Sequence, residues 1–141
     1  MAMNLRSGLT NNGIFLCLAV TQAAHSIEEY YFRLFDVLVL PRTVSGLVSD
    51  DLAFGFAVIN TLIVAFAFWT YFRRVRRAAG SAIAWMWGWS LVEVGNGTGH
   101  MVFAADAGTY FPGLVTAPFL ILFSLALMYR LVHPLGRMLI Q

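Results

Sequence analysis

The chain has 141 residues, enough for one domain spanning 1–141; 60% of it is hydrophobic and only 11% charged, with a mean hydropathy of +0.74. Soluble domains carry about 25% charged residues, so the composition speaks against a soluble fold and predicts an integral membrane protein. The net charge is +2 and all nine basic residues are arginine. They gather at the ends of apolar stretches, which is a topology and headgroup signal and not a nucleic-acid footprint.

The first apolar segment covers residues 13–35. It has no small-residue cleavage site and runs on into His25, Glu28 and Glu29, so it reads as a retained span and not a signal peptide. Cys17 within it has apolar neighbours and supports neither a disulfide framework nor a thiolate metal site. A connection over residues 36–51 follows, with Pro41, Gly46 and the run Val37-Leu38-Val39-Leu40, read as interfacial or re-entrant. The second segment, 52–72, has Asn60 as its only strongly polar interior residue. The third covers 78–105 and the fourth 111–132. Each reaches the ~20 residues of a bilayer crossing. Only helices or closed barrels satisfy the backbone in lipid, so the expected fold is all-α, a polytopic four-helix antiparallel bundle.

Between the second and third segments, Arg73-Arg74-Val75-Arg76-Arg77 puts four positive charges in five residues. The positive-inside rule makes this loop cytoplasmic. Arg6, Arg130 and Arg137 then also lie inside, Arg33 and Arg42 outside, and both termini face the cytoplasm.

All three glutamates, Glu28, Glu29 and Glu93, fall within these apolar segments. A charged side chain at membrane depth costs roughly 2.5–3.5 kcal/mol on insertion scales. On a helix, His25, Glu28 and Glu29 share one stripe, which Gln22 extends inward and Phe32 outward. Glu93, Asn96 and His100 form a second stripe, adjoined by Trp89. Counted from the outer ends, the two stripes and Asn60 occupy one layer roughly 8–18 Å deep, in the outer half. Arg33 is the only cation near enough to pair with Glu29. Gly95 and Gly99 form a G-x-x-x-G pair suited to close helix contact or to making room for a ligand. The Asn96-Gly97-Thr98 sequon lies within a span and is no glycosylation acceptor.

The pattern His25-Ser26-Ile27-Glu28-Glu29 resembles the HXXEE-domain proteins, small bacterial integral membrane proteins. Asn96-Gly97-Thr98-Gly99-His100 and Tyr110-Phe111-Pro112-Gly113-Leu114-Val115-Thr116-Ala117 resemble that family's downstream signature. The resemblance implies that His25, Glu28, Glu29, Asn96 and His100 belong together, that Pro112 and Gly113 shape the start of the fourth span, and that Thr116 points at the site. It also implies a bacterial inner-membrane location. A looser similarity, in arrangement alone, is to sterol-isomerase-like membrane proteins.

Three functions fit these residues. The first is acid–base catalysis by His25, Glu28, Glu29, Glu93, Asn96 and His100 on a terpenoid- or sterol-like substrate: isomerisation, epoxide opening or protonation-initiated cyclisation. Adjacent carboxyls in low dielectric do not both ionise cheaply, so one of Glu28 and Glu29 would hold a proton at neutral pH, which His25 could exchange. Gln22, Phe32, Asn60, Trp89 and Thr116 would contact the substrate. The second is a metal-dependent enzyme in which His25, Glu28, Glu29, Glu93 and His100 hold one divalent zinc, iron or manganese ion. The third is a proton-coupled or metal-ion carrier. The partners that fit are a lipophilic small molecule, the bilayer and a second copy of the chain, with no nucleic acid.

Overall fold

A computed structural model describes residues 5–133, and of residues 5–10 the backbone alone. Arg137 lies outside the described residues, as does the Arg6 side chain. Among the described residues the fold is entirely helical: α1 (Leu5–Tyr31), α2 (Leu34–Val37), α3 (Val39–Gly46), α4 (Leu52–Thr70), α5 (Ala82–Ala107) and α6 (Ala117–Val132). α5 packs along α6, and α1 packs against both α4 and α6.

α1 stops at Tyr31, four residues short of the sequence-based boundary, because Arg33 adopts a left-handed conformation at φ 56°. Arg33 pairs with Asp36 and not with Glu29, which takes up the one cation within reach of Glu29 in the sequence. The 36–51 connection folds as α2 and α3. Ser45 of α3 lies directly on Gly55 of α4, where a Cβ would overlap the Ser45 carbonyl oxygen. A glycine is required there because backbone meets backbone. α4 starts at Asp51, whose carboxylate accepts from the N–H groups of Ala53 and Phe54, a standard N-cap. It continues as a π-helical turn over Tyr71–Val75, within the arginine-rich loop. The continuous Leu52–Val75 stretch is long and apolar enough to cross a membrane. α6 is apolar but shorter, at 16 residues.

The fourth helix starts at Ala117, six residues later than its hydrophobicity suggests. Pro112 donates no backbone hydrogen bond, and Gly113 at φ 88° cannot be helical, so residues 111–116 form a turn. Tight helix contact also differs from expectation. A Cβ on Gly97 would stand 2.8 Å from the Ala117 carbonyl oxygen, whereas one on Gly95 or Gly99 would meet nothing within 4 Å. The close α5–α6 approach therefore depends on the central glycine and not on the G-x-x-x-G pair.

Two apolar clusters bracket the bundle. Phe15, Val75, Ala82, Met86 and Leu127 fill the end that carries the arginines. Leu34, Phe35, Phe56, Ala104 and Phe111 fill the end beneath α2 and α3. Between them lies a buried polar layer of Gln22, His25, Ser26, Glu29, Ser90, Glu93, His100 and Ser124.

Candidate functional site

His25 and Glu29 are one turn apart on α1, and His100 approaches from α5. Glu29 Oε1 lies 3.0 Å from His100 Nε2 and 3.3 Å from His25 Nε2. The imidazoles stand edge to face with ring centres 4.6 Å apart, and the three side chains are almost completely buried.

The other ring nitrogens settle the tautomers. His100 Nδ1 lies 2.6 Å from the Pro112 carbonyl oxygen; a carbonyl only accepts, so Nδ1 carries a proton. Thr116 Oγ1 donates its one proton to Glu28 Oε2 at 2.6 Å and therefore accepts from His25 Nδ1, also at 2.6 Å. Both imidazoles are thus protonated on Nδ1, and both Nε2 atoms turn toward the same carboxylate oxygen. Among the described residues, His25 Nε2 is buried without a hydrogen-bond partner. Three ligand atoms, one each from His25, Glu29 and His100, lie within 4.8 Å of one another. Tetrahedral bonds of ~2.0–2.1 Å would place ligand atoms ~3.3 Å apart, so this group can hold a metal ion. Each histidine is oriented from behind by an acceptor, the arrangement usual for metal-bound imidazoles.

Gly113 holds the two rings in place. A Cβ there would fall 2.7 Å from both His100 Nδ1 and His25 Cε1. The residue must be glycine for its backbone angle and again for the rings packed against it.

Glu28 does not share this space. Its carboxylate accepts from Tyr110 Oη (2.6 Å), Val115 N–H (2.9 Å), Thr116 N–H (3.0 Å) and Thr116 Oγ1. The two adjacent glutamates therefore do not face each other: one carboxylate clasps the turn before α6 while the other faces the histidines. Burial, followed by the hydrogen bond to Glu28 and its charge, holds the Tyr110 phenol well above its usual pKa.

Glu93 lies deeper and is fully buried. With its amide nitrogen toward this carboxyl group, Gln22 donates to both oxygens, at 2.9 and 3.1 Å. Asn96 makes a longer contact of 3.5 Å. Among the described residues Glu93 has no ion-pair partner. Glu29, Glu93, Asn96, Gln22 and Asn60, with Ser45 from α3, form the polar lining of a largely apolar pocket of about 710 Å³ between α1, α3, α4 and α5.

The remaining sequence candidates separate. Asn60 accepts from Ser26 Oγ at 2.8 Å and reaches the pocket wall. Trp89 lines the pocket and donates to Thr70 at 3.3 Å. Phe32 lies outside the pocket, against Tyr110, with ring centres 4.7 Å apart. Thr116 contacts His25 and Glu28 but does not line the pocket. Tyr110, Ser26, the Pro112 carbonyl and the Val115 N–H were not foreseen as site components. For Tyr110 a signal existed, because it begins the Tyr-x-Pro-Gly segment; no side-chain pattern reports the two backbone groups.

The family described as "Protein of unknown function with HXXEE motif" matches residues 16–128, and the chain belongs to it. No curated protein and no solved structure matches the chain.

Proposed function

We propose that this HXXEE-family protein is an integral membrane enzyme. His25, Glu29 and His100 hold one divalent metal ion, and Glu93 acts as the acid–base group toward a lipophilic substrate in the adjoining pocket. The convergence of two Nδ1-protonated imidazoles on one buried carboxylate oxygen carries the proposal. Two lone pairs and an anion meeting out of water need a positive charge between them, and one cation satisfies all three. Two imidazoles and a carboxylate suit zinc, iron(II) or manganese. Such an ion would polarise a substrate oxygen or activate water. Glu28 and Thr116 hold His25, Pro112 holds His100, and Glu93, gripped by Gln22, exchanges the proton.

Support for the membrane setting comes from the distribution of surfaces. Ile27, Leu62, Leu91, Val92, Phe119 and Leu122 are each more than half exposed, while the Glu/His layer is interior. An apolar exterior around a polar interior suits a chain solvated by lipid. In this reading α1, α4, α5 and α6 all cross a bacterial inner membrane. The arginine-rich turn and both termini face the cytoplasm, and the metal centre lies in the outer half.

A metal-free acid–base enzyme is favoured by one contact, the 3.0 Å between Glu29 and His100, which a proton would bridge. An ion carrier is disfavoured because Phe15, Met86 and Leu127 fill the bundle on the arginine side of the centre. Elemental analysis of the purified protein separates the readings. One metal per chain is expected, lost in His25→Ala, Glu29→Ala and His100→Ala and kept in Glu93→Gln. Protein that stays metal-free after incubation with zinc, iron(II) and manganese would leave the proton-bridged reading in its place.

A further inference from the structure

The pocket beside the centre has a definite shape. Leu40, Pro41 and Val44 of α3 form its roof. At the opposite end, side chains and not backbones bridge α4 to α5: Phe66 meets Trp85 and Trp89 with ring centres 5.5 and 5.8 Å apart, and Trp69 meets Trp85 at 6.2 Å. These rings form an aromatic floor, and Glu93 lies eight residues along α5 from Trp85, roughly 12 Å. At the side the wall is incomplete. Ile63 on α4 and Val92 on α5 line the pocket and are 39% and 62% exposed, so the space opens laterally onto the apolar exterior.

We propose that this cleft admits, sideways from the bilayer, an elongated single-chain lipophile ending in one uncharged oxygen group, an alcohol, aldehyde or ester. Its chain lies along α4 and α5 toward the aromatic floor, and its oxygen lies at the level of Glu29, Glu93 and Asn96. The volume of about 710 Å³ is within the usual range for small-molecule sites. The carboxyl and amide groups on the lining share that one level, and apart from them the wall offers only the Ser45 hydroxyl under the roof and the indole N–H groups of the floor, so a molecule with its polarity concentrated at that level fits without burying an unpaired group. Two carboxyl groups and no cationic side chain line the pocket, so in the metal-free protein an anionic head finds no partner there, which distinguishes a neutral terminus from a fatty acid. The amides of Asn96, Asn60 and Gln22 offer the hydrogen-bonding partners that an alcohol or carbonyl uses.

This inference rests on the reading of the centre as the reactive site but is tested apart from it. Gly88 lines the pocket, and a Cβ there meets nothing within 4 Å; Gly95 has equal room and lies outside the lining. Full-length protein treated with chelator is titrated with 9,10-dibromostearyl alcohol while tryptophan fluorescence is recorded. Trp85 and Trp89 line the pocket, so saturable quenching is expected. It should weaken at least tenfold in Gly88→Leu, persist in Gly95→Leu and in the metal-site variant His100→Ala, and be at least tenfold weaker with ionised 9,10-dibromostearic acid. Absence of saturable quenching, equal quenching in Gly88→Leu, or equal binding of the acid overturns the inference. So does a stable dimer that the alcohol does not quench, because a second copy then covers the cleft. Stoichiometric metal without chain binding overturns this inference alone; chain binding without metal supports it and sinks only the metal centre.

Discussion

Glu28 and Glu29 are neighbours in sequence, yet they belong to different parts of the molecule. Glu28 meets four donors at the turn before α6, two of them backbone N–H groups next to the helix start. An acceptor there answers the unsatisfied donors of a helix N-terminus. Glu29 meets two imidazole nitrogens and no backbone at all. The pair therefore divides: the first glutamate ties down the turn where α6 begins, and the second faces the two imidazoles, where the proposed function needs its charge. Thr116 joins the two regions, because its hydroxyl donates to Glu28 and accepts from His25.

The division can be tested from the centre outward. Glu29→Gln keeps the size but loses the charge, and bound metal should fall below one tenth of stoichiometric by mass spectrometry. Equal loss in Glu28→Gln would mean that both glutamates are ligands. Gly113→Ala should destabilise by about 2–4 kcal/mol in a denaturation series, because strain and overpacking combine there. Thr116→Val should keep the fold and weaken metal affinity about 10–100-fold, the usual effect of removing a partner behind a ligand. Wild-type affinity in that variant would disconnect the clasp from the centre.

Smaller effects come from the rim and the helix contacts. Gly97→Ala should destabilise by about 1–3 kcal/mol, while Gly95→Ala should stabilise by up to about 1 kcal/mol; thermal unfolding of the two variants compares them directly. At the rim, Tyr110→Phe removes one of the four donors to Glu28 and should lower the unfolding temperature slightly. The phenol pKa is raised in the folded protein, so the contribution of its proton is complete below the ordinary phenol range. It is lost as pH climbs through the raised value. A melting curve that loses stability between neutral pH and pH 9 in wild type but not in Tyr110→Phe would contradict that sign.

The sequence made the helical segments legible because their hydrophobic runs are long and their breaks are proline, glycine or arginine clusters. It placed α4 to within its capping residue, since Asp51 is both the first cap and the last charge before the apolar run. It missed the late start of α6, because Phe111, Leu114 and Val115 are apolar whether they lie in a helix or a turn. Helical spacing put His25 and Glu29 on one stripe and Glu93 and His100 on another, which is local geometry. The pairing of His100 with Glu29 and of Glu93 with Gln22 is not local; it depends on how α1 and α5 rotate against each other.

By itself, then, the sequence determined an all-helical chain, its polar stripes and the membership of His25, Glu29 and His100 in one candidate site. Tertiary structure alone decided that Glu28 leaves that site and that Gly113 sets the spacing of the two rings. It also decided that the histidines present Nε2 to a common oxygen. The physical reason is reach. Periodicity reports which face of one helix a residue occupies, whereas hydrogen bonds to Pro112, Val115 and Thr116 depend on a turn from elsewhere in the chain closing over that face.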